Sequence, residues 1–133
     1  MEGAALDRQR SVLIVDHSEE TREVLQTALQ RRGLQTFSAS RAGPGLELAR
    51  RHHPDLIVLD LELDQANPED LSAPFAEQSR TDHTALVMLG TVRRDRAGMP
   101  EGEFVAKPYH YGPLIRRIEE LLDTMPESFG PGA

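Results

Sequence analysis

Three residues in this sequence carry reactive side chains at the ends of apolar runs. Asp16 follows SVLIV, Asp60 follows LIVL and Lys107 follows FVA. His17, Glu62 and Asp64 stand close behind the two aspartates. Like charges held together in a fold are costly unless a cation sits between them. A hard, oxygen-preferring ion such as Mg²⁺ suits a pair of carboxylates. A lysine beside them suits a phosphate oxygen. The sequence has no Cys, which excludes disulfides, thiolate catalysis and Cys-ligated zinc.

The elements that must position these residues can be read from the pattern of apolar runs. Ser11–Val15, 56–59 and 85–89 are short, unbroken and apolar, as strands buried on both faces of a parallel sheet are. Residues 34–37 form a weak second strand and 104–106 a short fifth. Ser18 can cap a helix with Glu19 and Glu20 in its first turn, and Gly33 can stop it. A second helix starts at Ser40 or Arg41 and ends by His53-Pro54. Asn67-Pro68 opens a third, which Pro74 is expected to kink, delay or shorten. Leu114, Ile115, Ile118, Leu121 and Leu122 give the last helix an apolar stripe. Strands alternating with helices imply a parallel sheet with right-handed crossovers. In a doubly wound sheet of order 2-1-3-4-5, ligands bind beyond the carboxyl ends of strands 1 and 3. That order brings Asp16 and Asp60 together and points Lys107 into the same cleft.

The 133 residues suit one domain over 11–124, with loose tails at 1–10 and 125–133. A formal net charge of −7 argues against unaided binding to nucleic acid or an anionic membrane. No long apolar run is present, so a cytoplasmic protein is expected.

The segments VLIVDHSEETR, PDLIVLDLELD, TALVMLGT and EFVAKPY together resemble the receiver domain of a two-component response regulator. The resemblance runs from about residue 11 to 122. It implies an α/β, flavodoxin-like, doubly wound sheet. It also implies that Asp60 accepts a phosphoryl group from a sensor histidine kinase or a phosphotransfer protein, in a phosphorelay. Asp16 matches the first of two acids that hold Mg²⁺, and Glu62 the position whose backbone carbonyl also binds the ion. Lys107 matches the phosphate-binding lysine, and its bond to Pro108 the one that is usually cis. Phe104 matches the switch aromatic. The only chemistry implied is phosphorylation and dephosphorylation of the aspartate itself. The downstream protein partner is not implied.

Four positions depart from that pattern. His17 stands where the second acid belongs, and imidazole is a poor match to Mg²⁺, so weak Mg²⁺ binding is expected. Gly90 aligns with the usual switch hydroxyl, leaving Thr91, one residue late, as the candidate. Asp64 replaces a Pro. The segment from Gly90 to Lys107 is short, so the helix between the fourth and fifth strands is expected to be shortened or missing. An alternative reading is therefore a degenerate receiver, a protein-binding module whose state phosphate does not set. An Asp-x-acid phosphohydrolase built on Asp60 and Glu62 fits less well, because that motif normally follows the first strand.

Plainer readings are also open. The side chains of Glu62 and Asp64 read as solvated loop charges. His17 reads as a loop histidine, although His17, Asp16 and Asp60 could bind Zn²⁺ or Mn²⁺ adventitiously. Phe104 reads as core, and Tyr109 and Tyr111 as exposed residues that could meet a partner. Arg93, Arg94 and Arg96 read as a wet loop, too few for nucleic acid.

Overall fold

The computed structural model describes residues 9–91 and 102–125. Five strands form one sheet: β1 (Ser11–Val15), β2 (Gln35–Ala39), β3 (Leu56–Asp60), β4 (Ala85–Thr91) and β5 (Glu103–Lys107). All pairs are parallel and the order is β2-β1-β3-β4-β5. Among the described residues the helices are α1 (Glu19–Arg31), α2 (Ala42–His52), α3 (Pro68–Asp82) and α4 (Tyr111–Asp123), with a 3-10 turn at Leu63–Gln65. The expectations for 92–101, including the shortened helix and the arginine cluster, lie outside the described residues, as do those for 1–8 and 126–133.

Alternation along the strands splits the core into two layers. Val12, Ile14, Leu56, Val58, Val87 and Leu89 face α1 and α4. Leu13, Val15, Ile57, Leu59, Leu86 and Met88 face α2 and α3. Both faces are covered, so β1 and β3 are buried at every position and can be apolar throughout. β2 is an edge strand, which is why it tolerates Gln35, Thr36 and Ser38 and runs past its apolar residues to Ala39.

Helix α1 follows its sequence signals. The Ser18 hydroxyl accepts from the Thr21 amide at 3.1 Å, and Gly33 takes a left-handed φ of 85° after the end. Helix α2 starts differently. Arg41 provides no side-chain cap, and the Asp64 carboxylate accepts from the Ala42 amide at 3.2 Å instead. Asp64 is exposed, as expected, and also tethers the start of α2. Its φ of 55° is one that Pro could not adopt.

The expectation for α3 is corrected. It is neither short nor delayed: it runs for 15 residues with Pro74 inside. The bond that Pro74 cannot donate would have gone to Asp70, which is exposed, so water can serve that carbonyl. Leu71, Ser72, Phe75 and Ala76 are buried on both sides of the proline and hold the helix down, and Asn67 caps it. At the start of the described residues, Gln9 donates to the Gly33 carbonyl and Arg10 to the Leu122 carbonyl, each at 2.9 Å.

Candidate functional site

Strand register sets the site. Val15 pairs with Leu59, so Asp16 and Asp60 are the next residues on neighbouring strands. Lys107 pairs with Thr91 at the far side. All four lie at the carboxyl edge of the sheet.

Asp60 is fully buried and Asp16 is 2% exposed. Asp60 Oδ1 accepts from Lys107 Nζ at 2.8 Å and from the Glu62 amide at 3.0 Å. Its Oδ2 lies 2.7 Å from His17 Nδ1. Burial pushes the Asp60 carboxyl up, but the bonds from Lys107, the Glu62 amide and His17 outweigh it and hold the carboxyl below the usual carboxylate range. Asp16 goes the other way. Burial raises its pKa, and the Ser18 amide only partly offsets that. The turn after β1 is fixed by its backbone: the Asp16 amide donates to the Ala39 carbonyl at 3.0 Å, and Arg22 donates to the Asp16 carbonyl at 2.7 Å. Burial lowers the Lys107 pKa, and the bonds to Asp60 and Glu62 more than restore it, so the group is held above the usual lysine range.

The Glu62 side chain is exposed in the turn after β3, as expected, but it has two partners that the sequence did not suggest. Oε2 accepts from the Thr91 hydroxyl at 2.5 Å and Oε1 from Lys107 Nζ at 3.2 Å. The Thr91 bond, then Lys107 against a small opposing effect of burial, holds this acid below its usual range.

Thr91 is thus turned toward the site, one residue past Gly90. A side chain at 90 would be crowded: its Cβ would lie 3.3 Å from Leu61 Cβ and 3.6 Å from Phe104 Cε1. Phe104 is half-buried against the α2–α3 core layer, beside the Gly90 backbone. Tyr109 and Tyr111, expected as exposed, are half-buried against the other layer. Their rings meet edge to face at 5.9 Å, and the Tyr111 hydroxyl lies 3.1 Å from that of Thr21. The Lys107–Pro108 bond is cis, as the resemblance implies.

An open cleft of about 650 Å³ is lined by Asp16, His17, Glu62, Thr91, Lys107 and the two tyrosines, among others. The ligand atoms of Asp16, His17 and Asp60 all lie within 4.8 Å of one another. Such a set can hold a divalent ion. It does not fit Mg²⁺ well, because the third donor is imidazole nitrogen where a hard octahedral ion calls for oxygen. Among the described residues, no helix is long and apolar enough to cross a membrane.

Known proteins are similar in both sequence and fold. The polar-differentiation response regulators DivK of Brucella ovis and Brucella suis are each 28% identical over 119 residues, covering 85% of this chain and 96% of theirs. A two-component response regulator from Clostridium difficile superposes with a TM-score of 0.73 at 17% identity, over 88% of this chain and 98% of its own. The chemotaxis response regulator CheY4 of Vibrio cholerae gives 0.71 at 21% identity, over 86% and 99%. The family model for the response regulator receiver domain matches residues 12–119. The strand-end acids, the lysine opposite them and this match agree: the chain belongs to the response regulator receiver domain family.

Proposed function

We propose that Asp60 is the phosphoacceptor of a phosphorelay. One of its carboxylate oxygens attacks the phosphorus of a phosphohistidine on a sensor kinase or phosphotransfer protein. The P–N bond breaks, the imidazole nitrogen keeps the electron pair and is then protonated, and an acyl phosphate is left on Asp60. Lys107 Nζ, already 2.8 Å from that carboxylate, follows the charge onto the phosphoryl oxygens. Thr91 is the hydroxyl that can turn to the phosphoryl group, and Phe104 the ring beside Gly90 that would respond to that turn. A divalent ion, when bound, adds neutralising charge at the same place. The observation that carries the reading is the fully buried Asp60 at the strand edge, paired with Lys107 and adjacent to Asp16.

The test is transfer from a phosphohistidine-bearing donor protein. The label is expected to move to this chain, to be released by hydroxylamine as an acyl phosphate should be, and to stay on the donor when Asp60→Asn is the acceptor. Label found on another residue overturns the assignment.

A second reading, a binding module whose state phosphate does not set, has one observation in its favour. The Glu62 carboxylate already engages both Lys107 and Thr91, the two groups that a phosphoryl oxygen would need.

A further inference from the structure

The turn after β1 presents a nitrogen where an oxygen would favour Mg²⁺, and that nitrogen is turned inward. The His17 side chain is 62% exposed, yet its Nδ1 faces the carboxylates, 2.7 Å from Asp60 Oδ2 and 3.9 Å from Asp16 Oδ1. We propose that this pocket takes a divalent transition ion that accepts nitrogen, of the Co²⁺ or Zn²⁺ class, with His17 Nδ1 as a ligand beside the carboxylates of Asp16 and Asp60. The inference names the ion of the phosphoacceptor site and rests on that reading only for its use.

Three observations carry it. First, the ligand atoms of the three residues already lie within 4.8 Å of one another, so ligation needs only small side-chain rotations. Second, Asp60 divides its two oxygens. Lys107 and the Glu62 amide occupy Oδ1, while Oδ2 faces His17. An ion on the Oδ2 side replaces the His17 Nδ1 bond, beside the longer one from the His17 amide at 3.5 Å, and leaves the lysine in place. Nδ1 then gives its lone pair to the ion and the exposed Nε2 carries the ring proton. Third, the donor set is one imidazole and two carboxylates. Imidazole suits Zn, Co and related ions, whereas Mg²⁺ prefers oxygen in near-octahedral array. Three protein donors leave positions open for water or a phosphate oxygen.

The experiment titrates the whole chain with Co²⁺ and with Mg²⁺, for the native protein, His17→Ala and His17→Asp. Visible absorption reports nitrogen ligation to Co²⁺, calorimetry reports both affinities, and circular dichroism checks that each variant is folded. Co²⁺ is expected to bind the native protein at least about tenfold more tightly than His17→Ala, since losing even a hydrogen-bond partner of a metal ligand costs about 10–100-fold. His17→Asp is expected to raise Mg²⁺ affinity and so narrow the gap between the two ions, and to remove the nitrogen signature from the Co²⁺ spectrum. Co²⁺ affinity unchanged in folded His17→Ala overturns the proposal, since binding then belongs to surface histidines such as His53 or His83. Mg²⁺ binding more tightly than Co²⁺ in the native protein also overturns it. Phosphorylation is read separately by mass. His17-dependent Co²⁺ binding without phosphorylation sinks the phosphoacceptor reading alone. Phosphorylation in Mg²⁺ without His17-dependent Co²⁺ binding sinks the ion assignment alone.

Discussion

Glu62 shows how a single side chain can set the state of the cleft. Its carboxylate holds Thr91 and Lys107 where a phosphoryl group would need them. It also places a negative charge in the path of an anionic donor. Removing a like charge at about 4 Å in water is worth about 1 kcal/mol, or roughly fivefold in rate. Glu62→Ala is therefore expected to accelerate phosphoryl gain from a small donor by roughly that factor, followed by timed intact-mass measurement. An unchanged or slower rate would show that Glu62 does not guard the site. The other members of the site were legible because each ends an apolar run, which locates it at the carboxyl edge of a strand. Glu62 was harder to read because its pairing depends on Thr91 and Lys107, which lie 29 and 45 positions away. Asp64 is exposed as read, but its bond to the Ala42 amide was hidden for the same reason.

At the scale of elements, the apolar runs and caps located the described strands and helices, and the errors fell where tertiary packing overrides local preference. Pro74 should weaken a helix, but buried neighbours on α3 and an exposed Asp70 carbonyl offset it. β2 read as weak because an edge strand need not be apolar. Gly45 gave no signal at all, although it sets how closely α2 lies on β1. A Cβ there would stand 2.8 Å from Val15 Cγ2, inside van der Waals contact. Val15 is β-branched and fully buried, so it cannot swing away. The helix-propensity gain of Gly→Ala, about 1 kcal/mol, opposes a clash of about 1–3 kcal/mol. Gly45→Ala is expected to destabilise the domain by up to about 2 kcal/mol on balance, measured by urea unfolding. A stabilised variant would mean that α2 can shift outward freely.

At the scale of the molecule, the candidate site lies at one edge of the sheet, and the opposite edge ties together the two helices that cover one face. There, the ends of α2 and α3 meet through His53 Nδ1 and Asp82 Oδ2 at 2.8 Å, with Gln78 donating to the same oxygen at 2.6 Å. The His53 bond, more than the opposing effect of burial, holds the Asp82 carboxyl below its usual range. A depressed carboxyl pKa contributes stability above the unfolded value, and that contribution is lost as pH falls through the folded value. Asp82→Asn is therefore expected to cost about 0.5 kcal/mol at neutral pH, the discounted worth of a partly exposed pair. The difference from the native protein should vanish in acid, below the carboxylate range. A gap that stays constant in unfolding curves across pH would remove the ionic explanation.

The central claim, that Asp60 is a nucleophile toward phosphorus, is tested most directly by intact mass after incubation with a small acyl phosphate or phosphoramidate. Parallel runs would contain Mg²⁺ or Mn²⁺, each beside an Asp60→Asn control. The account predicts the gain of one phosphoryl group in at least one ion and none in the control. A folded native chain that gains nothing in either ion, or a control that gains as much, would contradict it.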